Sequence, residues 1–450
     1  MSVNTFEYIH FAHYKDIPNW SVQYVVEEKL GFTKKYSMAK IGSFLKKSKD
    51  QIEIQDDAEY KQVTVKINNG GVIARNDGQL KRGSEIGTKR QTVVHAGQFI
   101  VSKIDARNGA FGVIPDDLEG AIVTNDFPVF DVDSSKILPQ FMVLISTTPQ
   151  FVEFARKCSS GTTNRKRIDI DAFLQQVIPL PSLEEQEDIL VGYNQAIGKI
   201  EYNERQILSF SEEGRKLFDK LLKMKKYGKC KGDTSLRFIA YSSTAQRWDS
   251  FAVNQSIESD FPIRNLETCI KNIATGTTPS TNKQEYFKGN IKFYTPADIG
   301  VDKYLGKSCR SISDLAVRDN KARLFHKNDL LFVGIGSTVG KVGIVEDECV
   351  SSNQQITGLT VDESQLKVEY LYYYLKFNKD LAIADSSKTT LPIVNQEKIK
   401  QIPIVVPPLV LQEDIVEKMS EVDENIDALK EQIAKLKSTS LSEFEQTIFE

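Results

Sequence analysis

The chain has no uninterrupted run of about eighteen apolar residues, so nothing in it reads as a membrane-spanning helix. Its first residues, Met-Ser-Val-Asn-Thr, carry neither a basic head nor an apolar stretch, so no secretory leader is expected. Cysteine is scarce and scattered. Cys158, Cys230, Cys269, Cys309 and Cys349 form no Cys-x-x-Cys pair and no Cys/His cluster, which argues against a disulfide framework or a zinc site and fits a reducing cytoplasm. His10 and His13 make a His-x-x-His, but no third ligand is in view and we read them as ordinary histidines, with no metal expected.

Catalytic signatures are missing too. No Asn-Pro-Pro-Tyr or Asp-Pro-Pro-Tyr segment is present to grip an exocyclic amine, and Pro407-Pro408 lacks both the polar residue before and the aromatic after. There is no Walker-type lysine loop. Gly334-Ile-Gly-Ser-Thr-Val-Gly340 misses the dinucleotide fingerprint by one residue and does not clearly open a helix, so it reads as a tight turn between strands. Pro115-Asp-Asp117 is followed by Leu118-Glu-Gly120 with no lysine, a polar turn more than a nuclease cluster. A methyltransferase or nuclease is thereby disfavoured, and no catalytic residue is expected.

What the chain has is a repeat. Gln186-Glu-Asp-Ile189 returns as Gln412-Glu-Asp-Ile415, 226 residues later, with Pro181 and Pro407 just ahead of each copy. After each copy, apolar or small residues recur at alternating steps of four and three. The first series runs Ile189, Tyr193, Ala196, Ile200, Asn203, Ile207 and on through Phe210, Gly214, Leu217 and Leu221; the second runs Ile415, Met419, Val422, Ile426, Leu429, Ile433 and Leu436. A mean period of 3.5 is a coiled-coil seam. Two long helices with in-phase seams bury them most economically on each other, so we expect an intramolecular antiparallel coiled coil. Asn203 interrupts the first seam opposite Leu429 of the repeat, either to fix register or to meet a partner.

The segments ahead of the two helices repeat as well. Residues 15–180 read as mixed α/β, with strands near Lys61–Ile67 and Gln98–Ser102, turns at Asn69-Gly-Gly71, Asn76-Asp-Gly78 and Asn108-Gly109, and a helix over Pro139–Arg156. In the second half Trp248 answers Trp20, Asn328–Val333 answers Gly97–Ser102, Gly343-Ile-Val345 answers Gly112-Val-Ile114, Ser352-Asn-Gln354 answers Thr124-Asn-Asp126, Glu369–Leu371 answers Gln140–Met142, and Lys388-Thr-Thr390 answers Gly161-Thr-Thr163. The predicted organisation is an α+β domain over 1–181, a helix over 182–228 (its helical run reaching Lys226), a linker over 229–245, a second α+β domain over 246–406 and a second helix over 407–450, related by a pseudo-two-fold repeat.

Net charge is −3, but it is unevenly spread. Within 61–110 nine positive residues face three negative, and within 409–450 four positive face eleven negative, so the two stretches suit different partners.

The order of several short words resembles the specificity subunits of type I restriction–modification systems: Gly276-Thr-Thr-Pro-Ser280, Glu285-Tyr-Phe-Lys-Gly289, Tyr294-Thr-Pro-Ala-Asp-Ile299, Gly336-Ser-Thr-Val-Gly340, Ser351-Ser-Asn-Gln-Gln355 and Pro407-Pro-Leu-Val-Leu-Gln-Glu-Asp-Ile415. The resemblance covers essentially the whole chain, although the first domain lacks the Thr-Pro-Ser word. It implies that each domain is a target-recognition domain reading half of a bipartite site on double-stranded DNA. It also implies that the helices act as spacer and dock two methyltransferase subunits, and that restriction subunits join outside them. S-adenosylmethionine, ATP and magnesium would then sit in those partners and not in this chain. The acidic residues Glu413, Asp414, Glu417, Glu421 and Glu424 are docking candidates. A protein-only coiled-coil adaptor and an orphan DNA-binding protein are the alternatives.

DNA contacts are expected from basic residues in turn-rich segments and from amides and hydroxyls that can face base edges. In the first domain these are Arg75, Lys81, Arg82, Lys89, Arg90, Lys103, Arg107, Asn108, Asn164, Arg165, Lys166 and Arg167. In the second they are Thr278, Ser280, Lys283, Lys292, Tyr294, Ser337, Thr338, Lys341, Gln354, Gln355 and Lys388. Asn125 and Asn353 are equivalent in the repeat and read as frame residues.

Overall fold

The structure is a computed structural model and describes residues 35–68, 70–160, 167–226, 257–300, 302–383 and 392–449. Trp20, Trp248, His10, His13, the expected linker and the Gly161-Thr-Thr163 and Lys388-Thr-Thr390 words lie outside the described residues. The chain divides into two compact units, one drawn from Met1–Asn203 and Glu431–Glu450, the other from Glu204–Lys430. Both cuts fall inside long helices, not at the helix ends expected from the sequence.

Unit 1 is built on β1 (Met38–Lys40), β2 (Leu45–Lys47), β3 (Gln51–Glu53), β4 (Arg90–Val93), β5 (Phe99–Val101), β6 (Phe111–Val113), β7 (Ile122–Val123), β8 (Val129–Val132) and β9 (Val177–Pro179). An antiparallel sheet of order β6-β5-β8-β2 forms its centre, a second sheet runs β7-β4-β3, and β1 pairs with β9. Its α1 (Pro139–Ser146) and α2 (Pro149–Lys157) replace the single helix expected over Pro139–Arg156. Pro149 has no N–H to continue the first helix, and the Thr148 hydroxyl instead accepts from Phe151 N to cap the second. The core is aromatic: Phe99, Phe111, Phe130, Phe141, Phe151 and Phe173 are fully or almost fully buried, with Phe111 edge-on to Phe151 at 5.4 Å. Phe173 belongs to α3 (Ile170–Gln175), which Asp169 caps.

Unit 2 repeats this frame with β10 (Ile263–Asn265), β11 (Ile270–Thr275), β12 (Ile291–Tyr294), β13 (Arg310–Ile312), β14 (Leu324–His326), β15 (Leu330–Val333), β16 (Val342–Ile344), β17 (Cys349–Ser352), β18 (Ile356–Val361) and β19 (Pro403–Val405). The central sheet, β16-β15-β18-β11, has the order of β6-β5-β8-β2, and β10 pairs with β19 as β1 does with β9. The turn before each second strand uses a left-handed residue, Gly97 (φ 80°) in one and Asn328 (φ 68°) in the other. Its second sheet, β13-β12-β17-β14, is larger and includes a parallel pair, β12 with β17. Here α5 (Val368–Phe377) answers α1 and α6 (Gln396–Lys400), capped by Asn395, answers α3. Tyr370, Tyr373 and Tyr374 of α5 have no exposed surface, and the Tyr370 and Tyr374 hydroxyls donate to Val405 O and Pro403 O. Burial pushes the Tyr370 phenol well above its ordinary range.

The long helices are α4 (Leu183–Leu221) and α7 (Leu409–Phe449). The first stops five residues short of the expected Lys226. Lys223 turns left-handed (φ 50°), and Lys225–Lys226 pair as a strand with Ile257–Glu258. Within unit 1, Leu190 of α4 and Phe444 and Ile448 of α7 join the same core, and Asn203 Nδ2 donates to Gln432 Oε1 at 3.4 Å. Within unit 2, Phe218 of α4 and Leu222 just beyond its end join Ile415 and Met419 of α7, and Gly214 faces Val422. Of the expected seam, Ile200, Asn203, Gly214, Ile415, Met419, Ile426 and Ile433 are buried and the other ten residues are half-buried.

The repeated Gln explains the repeated word. Gln186 Nε2 donates to Lys136 O and Pro181 O, and its Oε1 accepts from Leu138 N at 2.8 Å. Gln412 does the same with Gln365 O, Pro407 O and Lys367 N. Both glutamines have no exposed surface. Each ties the start of a long helix to the start of α1 or α5 in its own unit.

Candidate nucleic-acid interface

In unit 2, three turns meet at one end of the sheets. The 276–283 segment leaves β11, the 334–341 turn joins β15 to β16, and the 353–355 turn joins β17 to β18. Gly276 N donates to Ile356 O and Gly334 N to Gln355 O, while Val394 N donates back to Gly334 O. The glycines are required by these approaches. A Cβ on Gly276 would lie 2.3 Å from Ser352 Oγ, and one on Gly334 would lie 2.7 Å from Val394 O. The Gly334–Gly340 loop is thus the tight inter-strand turn expected of it.

On this platform Thr278, Ser280, Ser337 and Gln354 are exposed, while Thr338, Lys341 and Gln355 are half-buried. Thr278 Oγ1 donates to Gln354 Oε1 at 2.5 Å. Asn353 folds inward as a frame residue, its Nδ2 donating to Gln355 Oε1 and its Oδ1 accepting from Gln355 N. Asn125, its sequence equivalent, is exposed. Lys283 lies over the Tyr286 ring and donates to its hydroxyl, which itself donates to Asp319; that bond, together with nearby acidic charge, raises the Lys283 ammonium above its ordinary value. Lys292 is half-buried and paired with Asp347 at 2.6 Å.

Tyr294 does not belong to this surface. It has no exposed area, and its hydroxyl donates to Gly306 O at 2.7 Å. Tyr294 is expected from its word among the DNA contacts, but position 294 closes β12 beside β17 and lies in the core with Ile299 and Phe325. Burial and the nearby acids push its phenol up to about 12.

In unit 1 the expected cations fall into two groups. Arg75, Lys81, Arg82, Lys89 and Arg90 surround the strand pair Glu59–Tyr60 with Lys81–Arg82 and the start of β4. Arg75 opens a turn in which Asn76, Asp77 and Gly78 all have positive φ. Lys89 is committed to structure, since it pairs with Asp56 and donates to Gly83 O. Arg90 Nε donates to Gln51 Oε1. Lys103, Arg107, Asn108 and Arg167 gather at the β5–β6 turn, because Ile168 N donates to Lys103 O and Lys103 N to Asp126 O. Arg167 pairs with Asp126 at 3.2 Å, and Asn108 Nδ2 lies 3.5 Å from Asp105 Oδ1. This second group occupies the place in the frame that Ser337, Thr338 and Gln354 occupy in unit 2. Asn164, Arg165, Lys166 and Lys388 lie outside the described residues.

Residue patterns did not pick out Lys321 and Arg323. Both are exposed, and their carbonyls accept from Thr277 Oγ1 at 3.2 Å and Ser351 Oγ at 2.7 Å. Their only sequence signal is a cationic turn ahead of β14. Among the described residues no group of three or more His, Cys, Asp or Glu is placed to hold a metal, and no helix is long and apolar enough to cross a membrane.

A duplicated α+β unit, each copy tied by a buried glutamine to a long helix and each presenting turns of different chemistry at the same corner of the same sheet, defines a protein of two like domains with unlike tips. The family model described as type I restriction modification DNA specificity domain matches twice, over residues 33–209 and 268–438, and the chain belongs to that family. It is similar to the type I restriction enzyme MjaIX specificity subunit of Methanocaldococcus jannaschii, 28% identical over 196 residues, covering 42% of this chain and 44% of that protein. The chain thus spans less than half the length of that relative in the match. It is 20% identical over 394 residues to the HindI specificity subunit of Haemophilus influenzae, covering 76% of this chain and 84% of that one. A solved chain from work on complex assembly and conformational transition of a type I restriction–modification system shares its fold at a TM-score of 0.51 and 16% identity, covering 91% and 97% of the two chains.

Proposed function

We propose that the chain is the sequence-reading, non-catalytic subunit of a type I restriction–modification complex. Each unit reads one half of a bipartite site on double-stranded DNA. The observation that carries this reading is the contrast between frame and turns. The sheet order β6-β5-β8-β2 recurs as β16-β15-β18-β11, while the corner it presents carries Lys103, Arg107 and Arg167 in one unit and Thr278, Ser337 and Gln354, flanked by Lys321 and Arg323, in the other. A constant frame with different tips suits two targets of one chemical class.

On the same reading, α4 and α7 pair antiparallel along their seams as an intramolecular coiled coil. The contacts of Asn203 with Gln432 and of Gly214 with Val422 support that direction. The coil sets the gap between half-sites and docks two methyltransferase subunits. Restriction subunits join outside them, and S-adenosylmethionine, ATP and magnesium reside in those partners. Glu417, Glu421 and Glu424 of α7 are exposed and suit such docking, whereas Glu413 is already paired with Lys367 and Asp414 with Lys418. The cell compartment that holds the DNA, the cytoplasm, follows from the partner.

The test is co-purification with the methyltransferase subunit encoded beside it, followed by mapping of methylated adenines in host DNA. A bipartite motif that disappears when the chain is deleted is the expected result. A complex without any such motif would leave a protein-only adaptor as the better reading.

A further inference from the structure

Resting on the function proposed above, we infer that Gln354 is the residue with which unit 2 reads a base pair, that Thr278 sets its orientation, and that the base is an adenine approached through the major groove. Gln354 is exposed at the tip of the β17–β18 turn. A side-chain amide has nearly the same shape either way round, so a reader needs something to fix which end accepts and which donates. The Thr278 hydroxyl holds the amide by donating to Oε1, the arrangement that leaves Nε2 free. One lone pair of Oε1 and both N–H groups of Nε2 then remain for a ligand. An acceptor and a donor side by side complement the N6 amine and N7 of adenine. Guanine offers two acceptors there and cytosine a single donor, so neither is matched by the pair.

The neighbouring Gln355 is spent differently. Its Oε1 accepts from Asn353 and its N–H donates back to the same side chain, and it is half-buried. It supports the turn from below. Lys321 and Arg323 complete the patch. Their backbones are bound to Thr277 and Ser351, next to Thr278 and three residues before Gln354. Among the described residues neither cation is paired with a carboxylate. They are placed to hold the phosphates that flank the base.

The experiment expresses the full chain with its methyltransferase subunit and maps methylated bases for each variant. Gln354→Ala is expected to relax one A·T position of one half-site by roughly tenfold to a hundredfold, leaving the other half-site and the gap unchanged. Gln354→Glu keeps the size but replaces the donor with a second acceptor, and is expected to shift preference at that position from adenine toward cytosine. Thr278→Ala should relax the same position, and Thr278→Ser should restore it. Replacing Lys321 and Arg323 by Ala should lower methylation at all sites alike and reduce the salt slope of DNA binding by about two, with no change in motif. An unchanged motif in both Gln354 variants, or relaxation confined to a G·C pair, would overturn the inference while leaving the proposed function intact. Absence of any motif directed by the wild-type chain would bring down the proposed function and this inference with it.

Discussion

His95 sits between two carboxylates, its Nδ1 2.7 Å from Glu119 and its Nε2 2.8 Å from Asp50. The clip joins the loop after β2, the turn before β5 and the turn before β7, and Glu119 also accepts from Ala96 N. The hydrogen bond to Glu119, then that to Asp50, raises the imidazole above its ordinary 6.5. The bond to His95 holds the Glu119 carboxyl below its ordinary 4.5. A raised histidine contributes stability below its unfolded value that is lost as pH rises through the folded one, and a depressed carboxylate contributes above its unfolded value and loses as pH falls. The clip is therefore strongest between those two limits. Thermal unfolding should show unit 1 less stable at about pH 8 than at about pH 6, and His95→Gln should flatten that difference. An unaltered slope in the variant would mean that the clip is not the source. The buried glutamines make a second prediction at this scale. Gln412→Leu keeps volume but orphans Lys367 N, Gln365 O and Pro407 O. Loss of about 3 kcal/mol or more is expected in denaturant unfolding, with Gln186→Leu costing a similar amount because it orphans the three equivalent backbone groups, Leu138 N, Lys136 O and Pro181 O.

At the scale of elements, α4 and α7 were visible as a period of 3.5, because a helix that buries one narrow stripe must repeat apolar residues at that spacing. Their ends were less visible. The seam continues to Leu221, yet Lys223 reverses the chain and Lys225–Lys226 join a strand, a pairing set by residues more than thirty positions away. The break between α1 and α2 was legible in Pro149, but the apolar periodicity on both sides masked it. Asn203 is buried at 8% exposure with one long bond to Gln432. Asn203→Leu should stabilise the helix pairing by about 1–2 kcal/mol, since a poorly satisfied amide is exchanged for apolar burial. Urea unfolding would measure it; a loss of stability would show that the amide is better satisfied than one 3.4 Å bond implies.

At the scale of the whole molecule, 39 residues in α4 correspond to a helix of about 58 Å at 1.5 Å per residue. If the coiled coil sets the gap, removing one heptad from both α4 and α7 shortens the coil by about 10 Å and keeps the seam in register. The expected result, read by mapping methylated sites, is a gap shorter by about three base pairs with both half-site sequences unchanged. Altered half-site bases with the original gap would rule out a ruler role for the helices.

The duplication, the seam and the lack of catalytic words were legible in the residues themselves, because each is a matter of spacing along the chain. The Gln-Glu-Asp-Ile word was equally visible, but that its glutamine stitches helix to domain required the fold, since two of its three partners lie 45 to 50 residues earlier. The site divides the same way. Cationic and glycine-rich turns could be picked out one by one, yet Tyr294 was placed on the surface by its word and in the core by β12 pairing with β17. Thr278 and Gln354 are 76 residues apart in the chain, and Lys321 and Arg323 come beside them only because β14 pairs with β17. Side-chain neighbours across strands are decided by pairing and register, which no local pattern contains.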